Sequence, residues 1–177
     1  MAPTRVISIV GHKDAGKTTL VVALAQEFGR RKRSVATIKH GHHPAIADTE
    51  GKDTWRHYHE GRAVKVLIEA PEQRVLFERT TQDADPITLA RRYMSDVALV
   101  LVEGYHAAPL PKIEVFRSGT NQAPIYSPER PDAGLWVAIV TDQATLKVPV
   151  PVIRFADTSW LSTLAALAWD RALPLTT

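Results

Sequence analysis

The sequence predicts an α/β protein with a mostly parallel sheet flanked by helices and with additional antiparallel strands. Short apolar runs alternate with segments whose apolar residues fall at helical spacing. The first apolar run leads into Gly-x-x-x-x-Gly-Lys-Thr, and the most apolar run ends in a glutamate. Both features are typical of sheets that bind nucleotides at the carboxyl ends of their strands. We therefore expect a P-loop NTPase-like sheet.

The first half of the chain begins with a strand and a helix. Residues 5–10 are rich in Val and Ile, as in a strand that is buried on both faces. Leu20, Leu24 and Phe28 follow at four-residue steps and predict a helix over 18–33. Further patterning predicts a strand at 34–39, a polar loop at 40–52, a helix at 53–60, and strands at 63–69 and 74–79 around a turn containing Pro71.

The second half continues the alternation. A helix is predicted at 86–94, where a proline lies in the first turn, and another at 159–172, which carries leucines at helical spacing. The segment 118–134 is rich in Pro, Gly and polar residues, so we expect a surface excursion there. Apolar runs predict the remaining strands, which are 96–103, 112–117, 136–141 and 152–155.

The composition bounds the domain count and the location. The 177 residues suit a single nucleotide-binding domain over 1–177. No apolar run approaches the roughly 18 residues that cross a bilayer, and no secretory signal pattern is present. We therefore expect a cytoplasmic protein without membrane contact. The absence of cysteine excludes disulfides and thiolate metal sites.

The charge balance is mildly basic, with a net charge of +3 and its densest basic run at 30–33. We interpret this run as the end of the first helix, where cations interact favourably with the helix dipole. A nucleic-acid patch is the other interpretation. No aromatic residues interleave the run as platforms for bases, so nucleic acid is not an expected partner.

The Gly-x-x-x-x-Gly-Lys-Thr stretch lies between a predicted strand and a predicted helix, as a phosphate-binding loop requires. Its backbone N–H groups and the helix N-terminus would face anionic oxygens. Lys17 would reach the β- and γ-phosphates, and the Thr18 hydroxyl would ligate Mg²⁺. The negative charge of Asp14 is compatible with phosphate binding only if its side chain points outward. The predicted nucleotide-binding residues here are Gly11, His12, Lys13, Asp14, Ala15, Gly16, Lys17, Thr18 and Thr19.

An acid near the metal is the second requirement of such a site. Glu103 ends the most apolar strand, "DVALVLVE", and would therefore lie at the same sheet edge as the loop. We predict that Glu103 binds Mg²⁺ directly or through water, and that Lys17 and Glu103 are the catalytic residues. A surface glutamate at a strand end is the alternative.

A histidine-rich segment follows the second predicted strand at this edge. We interpret it as a switch-like segment beside the γ-phosphate and a second anionic substrate. A transition-metal site formed by its histidines with Asp48 and a solvated polar loop are the alternatives. The residues assigned to this segment are Lys39, His40, His42, His43, Lys52 and Asp53.

Several motifs together resemble the MobB family of molybdopterin-guanine dinucleotide biosynthesis proteins. They are "GHKDAGKTTL", "TIKHGHH", "DTEGKDTWRHYHEGRA", "LVLVEGY" with "PKIEVFR", and "VAIVTD". The resemblance runs in order from Val6 to the C-terminal helix. Thr54 stands where the family more often has serine, and the segment 121–134 follows no family pattern.

This resemblance implies a GTP-binding homodimer with weak GTPase activity. It implies an adaptor that works beside the MobA guanylyltransferase, which joins GMP to molybdopterin to form the guanine dinucleotide cofactor. GTP, Mg²⁺ and molybdopterin or its molybdenum form are the implied ligands. Residues 11–18 match the family's phosphate loop, and Glu103 and Gly104 match its acid-bearing strand end. The segments 40–43 and 52–54 match tracts near the nucleotide or the pterin phosphate.

Selection of guanine needs a group that accepts hydrogen bonds from N1–H and the exocyclic amine, and one carboxylate can accept both. Asp142 follows the apolar strand "WVAIVT" directly and is the predicted reader. The Asn-Lys-x-Asp pattern of many GTPases is absent. A turn or helix-capping aspartate is the alternative.

Hydrolysis would require a water aligned near Glu103, with positioning and electrostatics supplying nearly all of the catalysis. No arginine is obviously placed as a finger, which favours slow turnover unless a partner supplies one. Two other functions remain open: an ATP-dependent P-loop kinase or ligase for small molecules, and a non-hydrolysing carrier of molybdopterin.

Overall fold

The chain divides into two compact units, Met1–His40 with Asp85–Thr177 and Gly41–Ala84. The computed structural model describes residues 2–41, 48–120 and 122–176. Within these residues no helix is both long and apolar enough to cross a membrane. The single domain over 1–177 stays a prediction.

The helices and strands follow the predicted alternation closely. The helices are α1 Lys17–Arg30, α2 Asp53–His59, α3 Pro86–Tyr93 and α4 Trp160–Arg171. The strands are β1 Arg5–Val10, β2 Val35–Lys39, β3 Lys65–Ala70, β4 Gln73–Glu78, β5 Leu99–Glu103, β6 Lys112–Phe116, β7 Trp136–Thr141, β8 Val152–Arg154 and β9 Leu173–Pro174.

A seven-stranded sheet forms the centre of the larger unit. Six strands lie in the order β2-β5-β1-β6-β7-β8 and are parallel, while β9 pairs antiparallel with the start of β1. Strand β1 lies between β5 and β6, and Ile9 is in register with both Glu103 and Ile113. The residues that follow β1, β5 and β2 therefore meet at one edge of the sheet.

Apolar side chains cover both faces of this sheet. On one face, Leu24 and Phe28 of α1 pack with Leu164 of α4. On the other, Ala90 of α3 packs against Val100 of β5. Because these helices are amphipathic and the strands are buried on both faces, burial of the apolar stripes fixes α1 against the sheet.

Helix α1 ends at Arg30, three residues before the predicted end. Lys32 takes a left-handed φ of 57°, which terminates the helix, and the Arg33 N–H donates to the Phe28 carbonyl. Arg30 and Arg31 both pair with Glu27, which is buried, at 2.6 and 2.7 Å. The basic run is thus engaged at the end of the helix.

A long connection between β6 and β7 is fastened by one buried acid. Glu114 of β6 is fully buried, and its carboxylate oxygens accept the N–H groups of Ile125 at 2.6 Å and Tyr126 at 3.0 Å. Burial raises the pKa of Glu114 above that of an ordinary glutamate, and the two backbone N–H groups partly offset this effect. The segment predicted as a surface excursion is therefore anchored at its middle.

The smaller unit contains α2 and the hairpin β3–β4. The strands pair antiparallel from Lys65 with Glu78 to Ala70 with Gln73, so Pro71 lies in the turn as predicted. The Tyr58 ring of α2 lies 6.0 Å from the Phe77 ring, and the Arg79 guanidinium stacks over Tyr58. These aromatic contacts attach the helix to the hairpin.

Candidate functional site

The carboxyl edge of the sheet holds an open pocket of about 370 Å³ in the larger unit. Strand β1 supplies the loop that leads to α1, β5 supplies its terminal glutamate, and β2 its terminal lysine. The structure thus brings together seven residues assigned to the site from the sequence: Lys13, Asp14, Gly16, Lys17, Thr18, Lys39 and Glu103.

The loop between β1 and α1 has a backbone that needs glycine at two positions. Gly11 has a φ of 151°, and a Cβ there would lie 2.5 Å from the Val115 carbonyl oxygen. Gly16 caps α1 in the left-handed conformation, with a φ of 96° and no side chain bonded to the helix N-terminus. No side chain at Gly16 caps the first N–H groups of α1, and the start of this helix lines the pocket, as an anion site requires.

The other residues assigned to the phosphate site differ in exposure. Within the loop Ala15 is buried and Lys13 is exposed, and Thr19 in the first turn of α1 is also exposed. Asp14 takes a left-handed φ of 61° and is exposed, although it also lines the pocket. A polyphosphate in this pocket would lie near two carboxylates, those of Asp14 and Glu103, as well as several cations.

A polar network connects three elements at the pocket floor. The Thr18 hydroxyl donates to both carboxylate oxygens of Glu103, at 2.8 and 3.0 Å. The Lys39 ammonium lies 3.0 Å from Glu103 Oε1 and 3.5 Å from Thr18 Oγ1. Glu103 is only 9% exposed. Its carboxylate is held in place by the Thr18 hydroxyl and the Lys39 ammonium. The Lys17 ammonium donates to the His12 carbonyl at 2.7 Å.

Thr18 and Glu103 fit a magnesium site. Both offer oxygen donors, which Mg²⁺ prefers, and the Lys39 ammonium shows that a positive charge is accepted beside them. Among the residues that the structure describes, no cluster of three or more His, Cys, Asp or Glu could hold a metal ion. A site with two protein oxygens suits Mg²⁺, because this ion usually keeps several waters and takes its other ligands from phosphate.

One histidine belongs to the loop between β1 and α1, and a second lies within reach of the Lys17 charge. His12 Nε2 lies 2.8 Å from the Ala123 carbonyl oxygen, which ties the loop between β1 and α1 to the connection between β6 and β7. Burial lowers the pKa of His106, and the positive charges of Lys17 and His12 lower it further. The sequence analysis did not single out His106. Its position three residues after Glu103, in "VEGYH", could have indicated that it lies near the same edge of the sheet.

Asp142 follows β7 and lies on the other side of the loop from Glu103 in the strand order. Its Oδ1 accepts the Ser118 N–H at 2.9 Å, and its Oδ2 lies 3.5 Å from Arg117 Nη1. The Ser118 N–H and then the Arg117 charge lower the pKa of this carboxyl, which favours the ionised acceptor. The guanidinium of Arg117 also stacks over Phe155, 3.9 Å from the ring centroid.

The residues assigned to the histidine-rich segment belong to different parts of the chain: some lie in the larger unit, some in the smaller unit, and two lie outside the described residues. The His40 N–H donates to the Glu103 carbonyl at 3.0 Å, and its ring stacks on Tyr105 at 4.5 Å. His42 and His43 lie outside the described residues. Lys52 and Asp53 belong to the smaller unit, where they start α2 and are exposed. Their shared role beside a nucleotide stays a prediction.

Comparison with protein families decides the affiliation of the chain. Residues 6–142 match the model of the MobB family, described as molybdopterin guanine dinucleotide synthesis protein B. The chain belongs to this family. The MobB resemblance inferred from the motifs is thereby confirmed.

Two curated relatives show how far the similarity extends. The chain is 36% identical over 112 residues to the molybdopterin-guanine dinucleotide biosynthesis adapter protein of Haemophilus influenzae, which covers 63% of this chain and 62% of the relative. It is 33% identical over 113 residues to the protein of the same name from Escherichia coli, covering 62% and 63%. The aligned part thus spans about three fifths of these relatives.

Solved MobB structures share the fold. The crystal structure of Bacillus subtilis MobB superposes with a TM-score of 0.68 at 20% identity and covers 92% of this chain and 97% of that one. A crystal structure of molybdopterin-guanine biosynthesis protein B gives a TM-score of 0.67 at 24% identity, covering 93% and 98%. The predicted α/β fold, with a mostly parallel sheet and an antiparallel pair of strands, is confirmed.

Proposed function

We propose that the protein is a GTP-binding adaptor with weak GTPase activity, which assists the guanylyltransferase that attaches GMP to molybdopterin. Membership of the MobB family and the names of its relatives support the adaptor role. One observation carries the nucleotide site. The Thr18 hydroxyl bonds Glu103 beside Lys39, in the pocket that Lys17 and the start of α1 also line.

The triphosphate is proposed to lie across residues 11–18. Lys17 releases the His12 carbonyl and bonds the β- and γ-phosphates, while the N–H groups at the start of α1 bind their oxygens. Thr18 and Glu103 would hold Mg²⁺, which when bound neutralises charge on the phosphates. Glu103 orients a water for slow hydrolysis, because its carboxylate is fixed by Thr18 and Lys39.

Guanine is proposed to lie against Asp142. The strand order places β7 two positions from β1, on the side away from Glu103. A nucleotide with its γ-phosphate near Glu103 would therefore extend its base toward Asp142. The ionised carboxylate can accept N1–H and the exocyclic amine of guanine together.

The remaining parts of the proposal concern partners. Molybdopterin, or its molybdenum form, carries a phosphate that the Lys39 ammonium beside Glu103 would attract. We propose a MobA-type guanylyltransferase as the protein partner and a homodimer as the working form. Titration of molybdopterin into the wild type and a Lys39→Ala variant tests the first of these, with weaker binding by the variant expected.

Calorimetric titration tests the nucleotide site. The protein is titrated with GTP, ATP and a non-hydrolysable GTP analogue, each with and without magnesium. We expect GTP and its analogue to bind alike, ATP to bind more weakly, and magnesium to strengthen the binding. A preference for ATP together with a phosphorylated small-molecule product would instead identify a kinase or ligase.

Turnover measurements separate the adaptor from a carrier. GTP hydrolysis is followed with and without the partner transferase, and formation of the guanine dinucleotide is followed with and without this protein. We expect slow hydrolysis by the protein alone and faster dinucleotide formation when both proteins are present. Undetectable hydrolysis with tight molybdopterin binding would support the non-hydrolysing carrier.

A further inference from the structure

The three residues that directly follow β6, β7 and β8 meet beside the phosphate loop. The Arg117 guanidinium stacks 3.9 Å from the centroid of the Phe155 ring and lies 3.5 Å from the Asp142 carboxylate. Its Nη2 also lies 4.0 Å from the position that a Cβ on Gly16 would take. Arg117 therefore connects the loop that would bind phosphate to the carboxylate that would bind the base.

We propose that Arg117 is a positioning residue for base selection: stacked on Phe155, it holds the Asp142 carboxylate toward the nucleobase. Selectivity for guanine over adenine then depends on Arg117, although the base itself contacts Asp142. This inference rests on the proposed function, in which the nucleotide lies across the loop with its base near Asp142.

Asp142 needs such support because it is exposed. Its side chain is 40% exposed, so without fixed partners it would rotate freely in solvent. The Ser118 N–H donates to Oδ1, the Ser118 side chain also bonds this carboxylate, and the Arg117 guanidinium lies 3.5 Å from Oδ2. Each carboxylate oxygen has a second acceptor site. Two restrained oxygens can therefore still accept the pair of N–H groups that guanine presents and adenine lacks.

Phe155 provides the platform that orients Arg117. A planar guanidinium stacked on an aromatic ring keeps its plane, and its donors point along that plane. Phe155 is itself held by Trp160, whose ring lies 5.1 Å away at 70°. Trp160 thus contacts Phe155, Phe155 contacts Arg117, and Arg117 contacts Asp142 at the proposed base site.

The experiment compares affinities for GTP and ATP, both with magnesium. The variants are Arg117→Ala, Asp142→Ala and the double variant, together with Phe155→Leu. We expect Arg117→Ala to weaken GTP binding up to about fivefold, the upper range for a partly exposed ion pair, and to change ATP binding by less than about twofold. In the Asp142→Ala background, Arg117→Ala is expected to add nothing.

Phe155→Leu keeps the Arg117 charge and removes only its platform. We expect the GTP-to-ATP affinity ratio to fall about threefold in this variant, because Asp142 is then less firmly held. Arg33→Ala is the matched control. Arg33 also stacks on an aromatic ring, 3.2 Å from the Trp169 centroid, but it lies beyond the other end of α1. This variant should leave both affinities unchanged.

Two results would overturn the inference while leaving the proposed function intact. Equal losses of GTP and ATP affinity in Arg117→Ala would mean that Arg117 contacts phosphate instead of positioning Asp142. A loss that persists at full size in the Asp142→Ala background would have the same meaning. A wild-type protein that binds no GTP at all overturns both proposals, and this result is seen before any variant is made.

Discussion

The two halves of the carboxyl edge are built in different ways. On the side of β1, β5 and β2, one continuous loop carries most of the polar groups, and Glu103 and Lys39 complete them. On the side of β6, β7 and β8, three separate residues supply the contacts, one after each strand. We call these the phosphate half and the base half.

The difference follows from what each half would recognise. Phosphate is a compact anion that backbone N–H groups and lysines bind without regard to the base, so a short contiguous loop is sufficient. A base differs from its competitors only in its pattern of donors and acceptors, so side chains must be held in fixed positions. The two halves should therefore respond differently to substitution.

The largest expected effect belongs to the phosphate half. Lys17→Ala removes the ammonium that would bond the β- and γ-phosphates, and we expect GTP and ATP affinity to fall alike, by about a hundredfold or more. Calorimetric titration measures both. Unchanged thermal melting would show that the variant is folded. Retained micromolar binding in this variant would refute the phosphate site.

A second prediction separates the metal from the phosphates within the same half. Glu103→Gln keeps the size of the side chain but removes its charge, so we expect the gain in GTP affinity on adding magnesium to fall about tenfold. Affinity without magnesium should change little. Titration of the wild type and the variant with and without Mg²⁺ gives this comparison, and an unchanged magnesium effect would place the metal elsewhere.

The third prediction concerns the base half. Asp142→Asn replaces one acceptor oxygen with a donor, so we expect GTP affinity to fall about tenfold or more while ATP affinity stays unchanged. The same change should improve binding of xanthosine triphosphate, whose base has an acceptor where guanine has the exocyclic amine. If GTP binds this variant as tightly as the wild type, the assignment of Asp142 as reader is wrong.

The smallest effect is expected at Glu114, beneath the connection between β6 and β7. The pKa of Glu114 is higher in the folded protein than in the unfolded chain. As the pH increases, the unfolded chain therefore loses the Glu114 carboxyl proton at a lower pH than the folded protein does. The free energy of unfolding should therefore decrease from the ordinary glutamate range up to the raised pKa and stay level above it. Glu114→Gln should remove this decrease.

Urea unfolding of the wild type and Glu114→Gln across that pH range provides the measurement. At neutral pH we expect the variant to be less stable by about 1 kcal/mol, because an amide accepts from only one of the two N–H groups of Ile125 and Tyr126. Parallel pH profiles of the two proteins would contradict the prediction.

Much of the fold was predictable because its signals are local. The strand, loop and helix around Gly16, the hairpin turn at Pro71 and the position of Glu103 at a strand end all follow from short patterns, and the structure confirms them. The predicted start of β5, at residue 96, was wrong. This strand begins at Leu99, because Asp96 lies in an exposed turn after α3.

Other features had no local signal. Strand β9 has only two residues, one of them a proline, and its pairing with β1 depends on tertiary contact. Arg117 and Phe155 are single residues after apolar strands, and only the order of the strands brings them together. The phosphate half and Asp142 were predicted from short motifs, whereas the contacts that Arg117 and Phe155 make in the base half required the topology.

Gly11 has a wider consequence for the two halves. With no side chain there, the loop lies directly against the Val115 carbonyl of β6. An added methyl group would lie 2.5 Å from that carbonyl oxygen, so any other residue would push the loop away from β6. The close approach of the loop to the neighbouring strand therefore depends on the absence of one carbon atom.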